Sequence, residues 1–296
     1  MEGLEIRQMQ TFKTIVEVGN FTKAAEQLQY AQSTITAHIQ GIEEELGGPL
    51  FNRVGKKIVL TEMSRELYAY VVDILNTYSK IKNITVDSGE VRGNLRIGAS
   101  ETLTIYKLGP VLSEFREKYP SVNISLINDN CIKLRERLYT GELDLAIVLQ
   151  PEVKDDNLTT VKLNEEEMVF VGPCGCTVKF TDNNFKENTL KETLIFTEKD
   201  CSLRKYFEEY LKAQKVLISN KLELSNIEAI KQCVVSGLGI SLLPYISVKK
   251  LIDEKKVIKI ENDEKVEFLA QLAYLREKKL TLVEKKFIEV LEKYVG

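Results

Sequence analysis

The sequence predicts an α/β chain in two parts: a winged helix-turn-helix that runs into a long helix, then a pair of α/β lobes. Three observations carry this expectation. Residues 20 to 53 hold two short helical periodicities, separated by a tight break and followed by a small basic hairpin. Residues 62 to 88 contain neither Pro nor Gly. From Gly89 onward, strand-like and helix-like segments alternate.

The first element is an amphipathic helix over residues 4 to 18, with Ile6, Met9, Phe12, Ile15 and Val16 on one face and Gly19 as its stop. Asn20 then stands where a side-chain oxygen can accept from the free amides of the next helix. Phe21, Ala24, Ala25 and Leu28 form that helix's apolar face. After a break at Gln29 to Ala31, Ile35, Ile39, Ile42 and Leu46 define a third helix. Its outward positions carry Gln32, Ser33, Thr36, His38 and Gln40, with no charge between Ala31 and Ile42. Short hydrogen-bonding side chains of this kind can read base edges in a major groove, although a merely solvated polar face has the same composition.

Gly47-Gly48-Pro49 ends the third helix, and Arg53, Lys56 and Lys57 flank a turn at Gly55 between apolar pairs. These three cations suit phosphate contacts from a wing. The DNA-binding part is expected at residues 1 to 61, followed by a linker helix over residues 62 to 89. Along that helix Leu67, Val71, Ile74, Tyr78 and Ile81 repeat at steps of four and three, which is a coiled-coil seam for dimerisation. Such a helix spans roughly 40 Å, enough to set two recognition helices about one DNA turn apart. Packing of the same face within its own chain is the competing reading.

The remaining segments follow a βαβαβ order: strands at Asn94 to Ala99, Val122 to Ile127 and Leu143 to Leu149, with helices up to Tyr119 and over Cys131 to Tyr139. Strands near Met168 to Val171, Leu194 to Thr197, Leu217 to Leu224 and Gly239 to Leu242 repeat the grammar, with helices at Ser202 to Lys212, Asn226 to Ser236 and Tyr245 to Ile252. The chain returns through Val266 to Leu275 and closes with a helix from Thr281 to Tyr294. A mainly parallel sheet covered on both faces is expected. The boundaries are residues 90 to 161 with 267 to 296 for lobe I, and residues 162 to 266 for lobe II.

The motifs F-T-K-A-A-E-Q-L, Q-S-T-I-T-A-H-I, I-E-E-E-L-G, P-L-F-N-R and L-T, in that order, resemble the N-terminal domain of LysR-type transcriptional regulators. The second half resembles the same family through L-R-I-G-A-S, F-R-E-K-Y-P-S-V, G-E-L-D-L-A-I and V-V-S-G-L-G-I-S-L-L-P. The resemblance implies a periplasmic-binding-protein-like domain that holds a small effector between its lobes. It also implies double-stranded operator DNA as a partner, a homodimer or homotetramer, and contact with RNA polymerase. Ala31 departs from the family's usual serine cap, and Met63-Ser64-Arg65 from its usual small-residue and glycine pair.

Ligands of doubly wound sheets sit where strands end and helices begin. Ser100 and Thr102 follow the first strand, and Asn130 and Cys131 open the second helix. Thr197 ends a strand across the cleft, and Cys201 and Ser202 open the next helix. In the family the matching stretches line the effector pocket. Amides and hydroxyls at such a place suit a small anionic effector, a carboxylate or an inorganic oxyanion. Glu101 is an awkward neighbour for an anion, and is expected to face solvent or bind an amine of the ligand. Some family members sense peroxide through a cysteine near Cys201; the partner cysteine is missing here, so a pocket-lining thiol is expected.

Composition narrows the alternatives. Net charge is −3 over 296 residues, and residues 1 to 62 hold six Lys/Arg against eight Asp/Glu, so DNA affinity must come from where charge is placed. Five cysteines and the single His38 offer no zinc spacing, and Cys174-Gly175-Cys176 reads as a turn; neither metal nor cofactor is expected. With no long apolar run or leader, a cytoplasmic location without membrane partners is expected. An enzyme is the competing class, disfavoured because the sole histidine lies on the third helix and no glycine-rich phosphate loop is present. The runs Glu43 to Glu45 and Glu165 to Glu167 read as solvated faces. A ligand-binding module without DNA binding is the third reading.

Overall fold

The computed structural model describes residues 3–54, 57–82, 91–152, 155–181, 189–263 and 265–295. The chain divides near residue 88 into two compact units.

The N-terminal unit packs α1 (Ile6–Val18), α2 (Phe21–Leu28) and α3 (Gln32–Leu46) around Phe12, Ile15, Ala24, Ile35, Ile39 and Ile42. Each helix end has a local cause. Gly19 and Gly47 terminate α1 and α3 in left-handed conformation, at φ 68° and 73°. Asn20 caps α2 by accepting from the Lys23 amide at 3.0 Å. A hairpin follows, β1 (Phe51–Val54) with β2 (Lys57–Leu60), antiparallel, Phe51 opposite Leu60. Thr61 then caps α4 (Glu62–Lys82), its Oγ1 accepting from the Ser64 amide at 3.1 Å, while the buried Ser64 hydroxyl donates to the Leu50 carbonyl. Ser64 therefore ties the start of α4 to the wing.

The expected seam on α4 divides. Val71 is buried and Leu67 partly buried in the core of their own unit, beside Met63, Tyr68 and Leu75. The reason is that α1 lies against the first half of α4 and claims that stripe. Ile74 and Ile81 stay exposed, at 42% and 57%, together with Tyr70 at 61%, while Tyr78 is half-buried.

In the C-terminal unit, β3 (Gly93–Ala99) pairs in parallel with β4 (Val122–Asn128) and β5 (Leu145–Gln150). Along β5, Leu145, Ile147 and Leu149 enter the core beneath α6 (Gly109–Lys118) and α11 (Leu282–Val295). Ala146 and Val148 alternate to the opposite face under α7 (Cys131–Tyr139). Pro110 opens α6, after α5 (Glu101–Leu103) and a wider π-type turn over Thr104–Leu108.

Two long strands run through both lobes and make the sheet mixed, not mainly parallel. They are β6 (Leu158–Pro173) and β11 (Val266–Leu275), antiparallel to each other from Leu158 opposite Leu275 to Met168 opposite Val266. The sequence signal showed only the apolar second half of β6. Its first half carries Lys162 and Glu165 to Glu167, whose charges mask the strand. Glu166 is buried and pairs with Lys107 at 2.9 Å, so that acidic run is not wholly a solvated face.

Lobe II adds β7 (Thr189–Phe196) parallel to β8 (Leu217–Glu223), and β9 (Ser241–Pro244) and β10 (Val257–Lys259) on β6. Helices α8 (Ser202–Ala213), α9 (Ile227–Val235) and α10 (Tyr245–Asp253) cover it. Phe170 meets Phe180 and Tyr210 with ring centroids 4.7 and 4.8 Å apart at its centre. A Cβ on Gly239 would collide with the Thr193 carbonyl, which explains a glycine where Ile240 approaches β7.

Candidate functional site

The N-terminal unit presents the outer face of α3. Gln32, Ser33 and Thr36 are exposed there, and the Thr36 hydroxyl donates back to the Gln32 carbonyl at 2.9 Å. Ala31 stands at the N-cap without a side-chain acceptor, which leaves the first-turn amides of α3 open. His38 departs from its expected outward place. It is half-buried, edge-on to Tyr30, with Nδ1 2.8 Å from the Thr11 hydroxyl. The Thr11 hydroxyl proton is donated to the Arg7 carbonyl at 2.9 Å, so the shared hydrogen of this contact comes from His38 Nδ1. His38 therefore braces α3 against α1. Arg53 and Lys57 lie on the paired strands of the wing, and Lys56 lies outside the described residues.

In the C-terminal unit one cleft of about 350 Å³ opens between the lobes. All seven residues expected there line it: Ser100, Thr102, Asn130, Cys131, Thr197, Cys201 and Ser202. Four helical starts converge on it. Those of α7 and α9 are closed, because Asn130 accepts from the Lys133 amide at 3.0 Å and Asn226 from the Ala229 amide at 2.9 Å. Those at Ser100 and Cys201 carry no side-chain cap.

Two buried hydroxyls of the cleft are unsatisfied, one at the open start of α5 and one just after β7. Ser100 Oγ and Thr197 Oγ1 are buried without a hydrogen-bond partner, although most buried hydroxyls have one. Thr102 is 5% exposed and also lines the cleft. Arg204, buried in α8, donates to the Thr197 carbonyl at 3.0 Å and to Glu208 at 2.8 Å, which anchors the end of β7. Cys131 donates to the Leu149 carbonyl at 3.5 Å; burial pushes its thiol up to about 12, and neighbouring Cys201 adds to the rise. It stays a protonated thiol at neutral pH.

Sequence reasoning missed the groups that link the lobes. The half-buried Glu101 carboxylate lines the cleft and is engaged across the lobes. It accepts from Asn226 Nδ2 at 2.7 Å and from the Ile227 amide at 3.2 Å, which places a negative charge at the start of α9. Asn130 Nδ2 donates to Glu198 at 3.1 Å. Tyr106 donates to Glu228, and Lys231 bonds both, at 2.8 Å to the Tyr106 hydroxyl and 2.8 Å to Glu228 Oε2. Burial opposes ionisation of Glu228, and the bonds from Lys231 and Tyr106 outweigh it, so this carboxyl is held below its usual range. Only the position of Glu101 after a strand was legible; the others needed helix α9 and the β7 to α8 turn to be placed opposite it.

A helix-turn-helix with an open polar face, together with a two-lobed cleft lined by unsatisfied hydroxyls, defines a ligand-responsive DNA-binding protein. Residues 6–65 match the bacterial regulatory helix-turn-helix family of LysR type, and residues 88–296 match the LysR substrate binding domain. The chain belongs to the LysR family of transcriptional regulators. It is 35% identical to the uncharacterized HTH-type transcriptional regulator YwqM of Bacillus subtilis, over 98% of this chain and 99% of that protein. It is 31% identical to the HTH-type transcriptional regulator CzcR of the same species, over 86% and 85%. In fold it is similar to a full-length OxyR variant from Pseudomonas aeruginosa, with TM-score 0.72 at 20% identity over 99% and 95% of the two chains. The regulatory domain of Synechocystis CcmR, solved in complex with 2-PG, aligns with 68% of this chain and 96% of that one, at TM-score 0.60 and 24% identity.

Among the described residues, no group of His, Cys, Asp and Glu could hold a metal ion, and no helix is long and apolar enough to cross a membrane.

Proposed function

We propose that Gln32, Ser33 and Thr36 read base edges in the major groove while Arg53, Lys56 and Lys57 of the wing contact phosphates. The carrying observation is that α3 exposes an uncharged hydrogen-bonding face whose helix is already braced by His38 and packed through Ile35, Ile39 and Ile42. The open first turn of α3 adds partial positive charge on the same side. His38 acts by holding α3, not by reading a base.

Two subunits pair through the exposed stripe of α4. There Tyr70, Ile74, Thr77 and Ile81 recur at steps of four, three and four and are all exposed. The effector occupies the cleft, its acidic group held by the hydroxyls of Ser100, Thr102 and Thr197 and by the open start of α8 at Ser202. That a regulatory domain of similar fold was solved in complex with 2-PG supports a small-molecule ligand for this domain. Binding shifts the population of lobe arrangements, and through the dimer alters DNA bending or RNA polymerase contact. The protein works in the cytoplasm as a regulator, not as an enzyme.

Fluorescence anisotropy on DNA from upstream of its own gene tests the interface. Gln32→Ala is expected to weaken specific binding by about 1–3 kcal/mol while sparing non-specific binding. Equal loss on both DNAs would remove α3 from the reading face. For the cleft, Ser100→Ala with Thr102→Ala must lower the calorimetric affinity for the effector; unchanged affinity would place the ligand elsewhere.

A further inference from the structure

The cleft carries more negative than positive side chains. Glu101, Asp129 and Glu198 line it against the single Lys133. Two of these carboxylates are already answered. Glu101 sits on the start of α9, at 2.7 Å from Asn226 Nδ2 and 3.2 Å from the Ile227 amide. Asp129 lies 3.5 Å from Lys133 and 3.6 Å from Arg137.

Glu198 is different. Asn130 Nδ2, at 3.1 Å, donates to one of its oxygens, and among the described residues no Lys or Arg forms an ion pair with it. It follows Thr197, which is 6% exposed and whose buried hydroxyl has no partner. A half-buried carboxylate thus follows an unsatisfied buried hydroxyl in sequence, and both line the cleft together with Cys201 and Ser202 at the uncapped start of the twelve-residue helix α8. The first feature calls for a cation and the helix start for an anion. A ligand bearing only negative charge would meet Glu198 without compensation.

We propose, building on the effector reading above, that Glu198 is an ammonium-binding subsite and that the effector is a small amino acid or related zwitterion. Its ammonium group donates to Glu198, and its acidic group takes the hydroxyls of Ser100, Thr102 and Thr197. A cleft of about 350 Å³ has room for such a molecule. Ammonium binding also couples to the lobes, because Glu198 already holds Asn130 of lobe I and a ligand amine would sit at that junction.

The test is isothermal titration calorimetry on the full chain with two matched probe series. One series is the common α- and ω-amino acids; the other is the acids with hydroxyl in place of the amine. The expected result is one or more amino acids that bind at least about tenfold more tightly than their hydroxy counterparts. Glu198→Gln, which keeps an acceptor for Asn130, should erase that preference while leaving the thermal midpoint of the free protein unchanged. Hydroxy acids that bind as tightly as the amino acids, or a preference that survives Glu198→Gln, would overturn the ammonium subsite. If Thr102→Val then abolished binding of the hydroxy acids, the cleft would still be the effector site. Silence of both series overturns the zwitterion, and the effector reading then rests on the Ser100 and Thr102 double variant with ligand recovered from native purification.

Discussion

Two polar clusters of the C-terminal unit, one around Asp144 and one around Thr197 and Glu198, are built from the same kinds of group and differ in whether they are closed. Asp144 is buried, receives a fork of hydrogen bonds from Arg96 at 2.9 and 3.0 Å, and pairs with Lys278 at 3.0 Å. Lys278 also meets the buried Glu284 at 2.7 Å. Every charge in that cluster has an answering partner. Among the described residues, the second cluster keeps an unpartnered hydroxyl and a carboxylate without a cation. The closed cluster is scaffold, whereas the open one lines the cleft, where a ligand can supply what the chain does not.

The helix starts divide in the same way. Asn20, Asn130 and Asn226 cap α2, α7 and α9, whereas Ala31, Ser100 and Cys201 leave their helices uncapped. Leu108 and Pro244 leave α6 and α10 uncapped as well, so an uncapped start gains meaning only beside an unsatisfied side chain, as at Ser100.

The contrast can be broken by substitution. Asp144→Ala should cost most, about 3–5 kcal/mol in urea unfolding, because Arg96 and Lys278 would lose a buried counter-charge. The same carboxylate predicts an acid limit. Burial pushes its pKa up, but the Arg96 hydrogen bonds and the Lys278 charge outweigh this and hold it below 3.8. A depressed folded pKa adds stability above the unfolded value, and that contribution disappears as pH falls through the folded one. The variant should therefore show a weaker stability loss than the parent as pH falls below the unfolded value of about 3.9 and through the depressed folded one. Parallel curves would mean that the cluster is not closed as described.

Smaller effects should follow at the dimer stripe and the caps. Ile74→Ala with Ile81→Ala should leave the monomer's thermal midpoint within about 1 kcal/mol equivalent, since both side chains are exposed, yet weaken dimerisation in sedimentation equilibrium. Val71→Ala should do the reverse, destabilising the subunit by about 1–3 kcal/mol. Asn20→Ala should remove about 1 kcal/mol from the N-terminal unit, whereas Ala31→Ser should add up to about that much by closing an open start.

The finest test is Thr197→Val. Exchange of an unpartnered buried hydroxyl for a methyl is expected to be neutral or stabilising by up to about 1 kcal/mol, while ligand affinity drops. A clear stability loss would show that the hydroxyl has a structural role.

Much of this was legible in the sequence because it depends on short-range pattern. The 3.6-residue spacing of Ile35, Ile39 and Ile42, the glycine stops at Gly19 and Gly47, and the cap at Asn20 all act within one or two turns. The strand from Leu143 to Leu149 was legible as an apolar run, which the fold buries on both faces. The first half of β6 escaped because Lys162 and Glu165 to Glu167 resemble a solvated run until Lys107 is brought beside Glu166. His38 reads as an outward residue until α1 supplies Thr11. Half of the expected α4 seam turned inward for the same reason, since periodicity states that a face is apolar and not which partner covers it.

The sequence by itself determined the helix-turn-helix, the wing, the two-lobed α/β grammar and the strand ends at which a ligand would sit, because propensity, capping and periodicity are local. Tertiary structure alone decided which polar groups are spent and which stay open. Glu101 and Glu198 are the same residue type, each near a helix start. One is closed by Asn226 and the start of α9, 125 and 126 residues away in the chain. Among the described residues the other meets only Asn130. A charge's availability depends on neighbours that are distant in sequence, and only the folded chain brings them together.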